Sequence, residues 1–99
     1  MAVLKFQSDT EYYRWLADHP NGFVVNTTHS PQPRYMMLHR ALCRHISEPH
    51  RETSPGGFTE RRNTKICAED IESLRAWAAQ HGRPDGSFTH ECSSCTPTR

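Results

Sequence analysis

Leu38-His39-Arg40-Ala41-Leu42-Cys43 and Cys92-Ser93-Ser94-Cys95 are the two stretches that decide the fold of this chain. Each places two metal-binding side chains within one short turn. Zinc sites commonly combine two such motifs separated by a longer loop or fold element. Thiolate and imidazole ligands also suit zinc better than magnesium or calcium. The sequence therefore predicts a closed, tetrahedral zinc site with the ligands His39, Cys43, Cys92 and Cys95.

The choice of the fourth ligand stays open at this point. An alternative set uses every cysteine of the chain and leaves His39 outside the site: Cys43, Cys67, Cys92 and Cys95. The three-residue spacing to Cys43 favours the histidine, and a lone cysteine on a predicted strand is typical of a small buried core residue. His90 is a further candidate, but its position two residues before Cys92 is awkward for sharing one tetrahedron.

The size and composition of the chain also favour a metal. It has 99 residues, of which 34% are hydrophobic, so one domain spanning 1–99 with a modest core is expected. Small polar domains usually need disulfides, a metal or a partner chain for stability. The first residues lack the apolar stretch of a signal peptide, and no run is long enough for a membrane span. These features predict a cytoplasmic protein, in which cysteines serve as metal ligands or free thiols.

The first third of the chain predicts a helix followed by a β-hairpin. Ser8 and Glu11 form a capping-box pattern, and apolar side chains recur on one face of a helix over 8–18. This helix makes 1–22 an N-terminal extension of a zinc-binding core over 23–96. Residues 23–27 are rich in β-branched and aromatic types, and 35–39 form the returning strand after a proline-containing loop.

The remaining two thirds predict a third strand and a longer helix. A helical turn is expected within 40–47, a flexible segment over 48–57, and the strand at 64–67. The helix spans about 69–81, with acidic residues in its first turns and Gly82 just past its end. A short extended piece at 87–89 leads to the second cysteine pair. The predicted fold class is therefore α+β, with an antiparallel hairpin, a third strand and two helices stapled by zinc.

The order of these motifs resembles that of the metal-binding domain of Ada-type methylphosphotriester repair proteins. It is still more similar to small bacterial domains of that superfamily that begin with a His-Arg-x-x-Cys motif. The resemblance covers roughly 23–96 and implies a hairpin, strand and helix around one structural zinc, together with DNA binding. In the repair proteins the first ligand is a cysteine that accepts the methyl group. Because His39 stands at that position here, methyl transfer is not expected.

The charges are unevenly distributed along the chain. Residues 34–65 contain seven lysines and arginines against three glutamates, whereas both flanking segments are net acidic. Such asymmetry can mark an anionic partner, although a solvated basic loop gives the same pattern. A nucleic-acid-binding role would use basic side chains of this segment: Arg34, Arg40, Arg44, Arg51, Arg61, Arg62 and Lys65.

Two other classes of function stay open. A protein-interaction module or accessory subunit would use the aromatic helix at 8–18, where Tyr13 falls off the core face. An enzyme is less favoured, because four protein ligands leave no open position on the metal for water. The His90-Glu91-Cys92 sequence lacks the spacing of zinc deaminases, and no histidine spacing singles out a nuclease. No catalytic residue is therefore predicted.

Overall fold

The computed structural model of the protein describes residues 3–6, 8–47, 59 and 63–98, so the segment predicted to be flexible at 48–57 lies outside the described residues. The described part is an α+β fold, which confirms the predicted class. In chain order its elements are β1 Leu4–Phe6, α1 Asp9–Asp18, β2 Phe23–Thr28, β3 Met37–Arg40, α2 Arg44–Ser47, β4 Asn63–Ala68, α3 Ile71–Gln80 and β5 His90–Glu91.

The strands form one sheet in the order β1-β4-β2-β3-β5. The predicted hairpin is the β2–β3 pair, and the predicted third strand is β4, which lies antiparallel to β2. Two short edge strands were not expected from the sequence. β1 pairs with β4, and β5 pairs in parallel with β3. The parallel pair matters for function because it brings the C-terminal tail against the strand that carries His39.

Helix α1 packs on one face of the sheet. Ser8 is its N-cap, and the Ser8 hydroxyl accepts a bond from the backbone N–H of Glu11, as the capping pattern predicts. Tyr12, Trp15 and Leu16 are all buried and form one core cluster with Val24 and other residues of that face. The hydroxyl of Tyr12 donates to the carbonyl of Ile46 at 2.6 Å, which ties α1 to α2.

Helix α3 packs on the opposite face. It begins at Ile71, two residues later than predicted, because Asp70 is the N-cap and its carboxylate accepts from the Ser73 N–H at 2.7 Å. Leu74 and Ala78 are buried against the second core cluster of the sheet. Gly82 has a φ of +106°, which confirms the left-handed position predicted after the helix.

Both longer helices end in the same arrangement, which the sequence analysis missed. His19 stacks on Trp15 with ring centroids 4.6 Å apart, and His81 stacks on Trp77 at 4.4 Å. Each histidine Nδ1 also donates to the carbonyl of that tryptophan, at 3.0 Å and 2.7 Å. A Trp-x3-His spacing at the end of a helix therefore closes the last turn and covers the indole ring.

In the described part of the chain, no helix has the length and apolarity needed to span a membrane.

Replacing Tyr12 with phenylalanine should destabilise the fold by about 1–2 kcal/mol, because the buried carbonyl of Ile46 loses its donor. Tyr13→Phe is the matched control, since Tyr13 is only half-buried and should change stability by less than about 0.5 kcal/mol. Chemical denaturation of both variants measures the difference. Equal stabilities for the two variants would show that the bond between α1 and α2 contributes nothing.

Candidate metal centre

The four predicted ligands come together at one edge of the sheet. His39 lies on β3, Cys43 on the turn before α2, and Cys92 and Cys95 on the tail that follows β5. One donor atom from each residue lies within 4.8 Å of the donor atoms of the other three. The group can hold a metal ion, and its donor set of three sulfurs and one imidazole nitrogen agrees with the set expected from the two motifs.

The sheet and a tight turn position the first pair. His39 sits opposite Val24 in the β2–β3 register and is 3% exposed. After β3 the chain turns at once, with the Ala41 N–H donating to Gly22 and the Cys43 N–H donating to Arg40, both to carbonyl oxygens. This turn returns Cys43 to the same face as His39, where the two side chains become neighbours.

Strand pairing positions the second pair. The Cys92 N–H continues the parallel pairing by donating to the carbonyl of Leu38 at 2.9 Å. Just upstream, the hydroxyl of Thr89 exchanges hydrogen bonds with the backbone N–H and carbonyl of Met36, each at 2.8 Å. The Thr96 N–H then donates to the carbonyl of Cys92 at 2.9 Å, which closes the Cys-x2-Cys turn. The second pair is thus registered on β3 beside His39.

Backbone N–H groups surround the sulfurs. The Arg40 N–H donates to Cys95 Sγ at 3.2 Å. Burial alone would raise the pKa of Cys92, but hydrogen bonds from the backbone of Cys95 and Ser94 lower it overall. A bond from the backbone of His45 acts in the same direction at Cys43. Donors aimed at sulfur favour the thiolate form, which is the form that binds metals.

The two buried sulfurs of the cluster are themselves in contact. Cys43 Sγ and Cys92 Sγ lie 3.8 Å apart. Burial raises the pKa of Cys43 to about 12, although the backbone bond opposes the rise. Two thiolates at this distance repel each other in a buried setting, so a proton or a cation is needed between them. A divalent metal would supply that positive charge for the whole cluster.

His39 carries the clearest local sign of a missing partner. Among the described residues, its Nδ1 is the buried side-chain nitrogen or oxygen for which no hydrogen-bond partner is found. Burial, with smaller contributions from Lys65 and His45, lowers the pKa of His39 to about 4. The imidazole is therefore neutral at neutral pH and able to coordinate. A buried imidazole whose Nδ1 finds no hydrogen-bond partner, grouped with three sulfurs, fits a metal ligand.

Cys67 lies on the same sheet face but away from the cluster. It is opposite Val24 in the β2–β4 register, and Val24 is opposite His39, so the three residues form a row across the sheet. Two strand spacings, about 10 Å, therefore separate the backbones of Cys67 and His39. Cys67 is fully buried in the α1-side core, and burial raises its pKa. This confirms the predicted buried core thiol and favours His39 over Cys67 in the metal set.

The other histidines near the site have different surroundings. His90 is exposed on β5 and pairs with Met37. His45 is also exposed, and its Nε2 lies 3.0 Å from the hydroxyl of Ser94. That contact joins the turn of the first pair to the turn of the second. Neither histidine belongs to the group of donor atoms found in the described residues.

Two of the seven basic residues predicted to contact nucleic acid are engaged within the fold. Lys65 is 4% exposed and donates to Asn26 Oδ1 at 2.8 Å, and burial lowers its pKa to about 8. A phosphate contact needs an accessible ammonium, so this position does not suit the predicted role. Arg40 directs its guanidinium to the carbonyls of Cys95 and Thr96 instead of projecting into solvent.

The remaining predicted contacts divide by location. Arg34 and Arg44 are exposed, Arg34 at the turn between β2 and β3 and Arg44 at the start of α2. Arg61 and Arg62 lie outside the described residues, as does Arg51. The sequence analysis assigned all these residues to nucleic-acid binding because they are positively charged, and for no other reason. Charge does not distinguish an exposed side chain from one engaged inside the fold, which is why Lys65 and Arg40 were grouped with the others.

Comparison of the chain with protein-family models, with curated proteins and with solved structures finds no match.

Replacing His39 with alanine should remove stoichiometric metal binding, because a three-sulfur group cannot complete the tetrahedron alone. Cys67→Ala should keep one metal per chain and lower stability by about 1–2 kcal/mol through the cavity that it leaves. Metal analysis of both purified variants gives the stoichiometry. Loss of metal from Cys67→Ala with retention in His39→Ala would reverse the choice of the fourth ligand.

Proposed function

We propose that the protein is a small zinc module in which His39, Cys43, Cys92 and Cys95 bind one structural zinc ion. The observation that carries the proposal is the grouping of their donor atoms within 4.8 Å of one another. The unpartnered Nδ1 of His39 and the N–H bond to Cys95 Sγ support it. Zinc is preferred over calcium or magnesium because soft sulfur ligands dominate the set.

The role proposed for zinc is structural. Four protein side chains fill a tetrahedral coordination sphere, so no position is left for a catalytic water. The ion would join the turn after β3 to the tail after β5, two segments that lie about 50 residues apart in the chain. The ion would replace the thiol protons, balance the negative charge of the thiolates and fix the tail on the edge of the sheet. We assign no catalytic residue.

As the biological activity of the module, we propose nucleic-acid binding. The support is the basic segment of the sequence and the exposure of Arg34 and Arg44. Arg44 lines a surface cavity of about 490 Å³ beside the cluster, together with Leu42 and His45. None of the described residues that line this cavity is acidic, so they favour an anionic ligand. The similarity to Ada-type domains points to the same class of partner.

An alternative function is protein binding, and one observation favours it. Leu42 is 66% exposed beside the four predicted ligands and lines the surface cavity there, where it offers an apolar contact to a partner. The sequence analysis placed a possible protein-binding surface on the aromatic helix α1. The support for that surface is weaker in the structure, because Trp15 is 6% exposed and Tyr13 packs against the same core cluster. A protein partner would therefore use the surface around Leu42 instead of α1.

Lowering the pH should release zinc. The thiol of Cys43 has a pKa of about 12, so zinc must displace its proton, and affinity falls about tenfold per pH unit for each proton displaced. His39 acts in the same direction. Its pKa in the fold is about 4, below its ordinary value of 6.5, so the stability contributed by the neutral ring is lost as the pH falls through this interval. A zinc indicator measures release, and a zinc affinity that does not fall as the pH is lowered would contradict the proposed ligands.

Nucleic-acid binding should depend steeply on salt. A double variant in which Arg34 and Arg44 are both changed to glutamine should bind nucleic acid more weakly. The slope of log affinity against log salt should fall by about 1.5–2. Arg14→Gln is the matched control, because Arg14 is exposed on α1 and lies outside the basic segment. Fluorescence anisotropy with labelled single strands and duplexes supplies the measurement. If no salt-sensitive binding occurs at low ionic strength, the nucleic-acid proposal fails and the protein-binding alternative gains.

A further inference from the structure

Arg40 stands between the ligands of the first pair but makes its contacts with the second. Its backbone N–H donates to Cys95 Sγ at 3.2 Å. Its Nε donates to the carbonyl of Cys95 at 2.9 Å, and its Nη2 donates to the carbonyl of Thr96 at 3.1 Å. One residue therefore reaches the Cys-x2-Cys turn through three hydrogen bonds, across more than 50 positions of sequence.

The residue that follows the Cys-x2-Cys turn has a strained backbone conformation. Thr96 has a φ of +42°, a left-handed conformation that non-glycine residues rarely adopt. From inside the turn, the Thr96 N–H donates to the carbonyl of Cys92 at 2.9 Å. From outside, the guanidinium donates to the carbonyl that precedes Thr96 and to the carbonyl of Thr96 itself. Residues in such conformations persist only where the surroundings fix them, and here Arg40 supplies the outer contact.

The guanidinium of Arg40 is itself fixed in place. Phe23 lies opposite Arg40 in the β2–β3 register, and the guanidinium carbon is 6.0 Å from the centre of the Phe23 ring. This distance allows a cation–π contact that limits the freedom of the side chain. A planar fork of N–H donors matches two neighbouring carbonyls, whereas the ammonium of a lysine offers only a point charge. The arrangement is therefore specific to arginine.

We infer that Arg40 is a positioning residue for metal binding, which holds the Cys92–Cys95 turn in the geometry that the ion needs. This inference rests on the proposed zinc site and goes beyond it, since it assigns the affinity of that site partly to a side chain that does not touch the ion. Contacts of this kind orient the ligands, and their removal typically costs about 10–100-fold in metal affinity.

The test compares zinc affinities by competition with a chromophoric chelator. Arg40→Gln should bind zinc about 10–100-fold more weakly than the unaltered chain, and Arg40→Lys should be weakened because it keeps the charge but loses the fork. Phe23→Leu, which removes the ring beside the guanidinium, should show a smaller loss. Arg14→Gln controls for net charge and should keep the original affinity. Cys67→Ala controls for general loss of stability, and because metal binding is coupled to folding, its affinity should fall by no more than its loss of stability explains.

Cobalt substitution supplies a second readout. The intensity of the cobalt absorption bands reports how tetrahedral the site is, which a general loss of stability would not change. We expect altered bands in Arg40→Gln and unchanged bands in Cys67→Ala. Equal zinc affinity in Arg40→Gln and the unaltered chain would overturn the inference. An equal loss of affinity in Arg14→Gln would also overturn it. A loss of the fold in all three Arg40 and Phe23 variants would do the same, because it would assign the contacts to folding in general. If the unaltered chain itself binds no zinc, the proposed function fails instead.

Discussion

The contact on which this fold depends is the meeting of two short turns at the edge of the sheet, where His39 and Cys43 face Cys92 and Cys95. The central strands form two ordinary cores with α1 and α3. The tail beyond α3 has much less apolar support, because β5 has only two residues and both are exposed. The short pairing of β5 with β3, the cluster and the contacts of Arg40 join this tail to the sheet. A metal there would convert four mutually repelling or unpartnered donors into one bonded unit.

The same geometry separates structural roles from surface roles among the basic residues. Lys65 and Arg40 are engaged within the sheet and the tail, so their charge serves the fold. Arg34 and Arg44 are exposed, and Arg44 lies next to the four predicted ligands and the exposed Leu42. Any partner that recognises this edge would therefore also sense whether the tail is in place. If the proposed partner recognises this edge, metal binding and partner binding would be linked through the position of the tail.

Local patterns in the sequence were sufficient to predict the elements that have a capping residue, an apolar face or a terminal glycine. The cap at Ser8, the apolar face of α1 and the glycine after α3 each follow from nearest neighbours. The edge strands β1 and β5 were not predictable, because strands of two or three residues are defined by the partner strand and not by their own composition. For the site, spacing alone grouped the four ligands. The burial of Lys65 and the reach of Arg40 depend on tertiary pairing, which charge counts do not contain.

The most direct test of the central claim is metal analysis of the purified protein, followed by chelation. We predict one zinc ion per chain. Removal of zinc should abolish the near-ultraviolet circular dichroism of the buried aromatic side chains, and one equivalent of zinc should restore it. Trp15 lies in the same core cluster as Cys43 and Cys92, so its signal reports on this region. A natively folded protein without stoichiometric metal, or one whose spectrum survives complete chelation, would contradict the account.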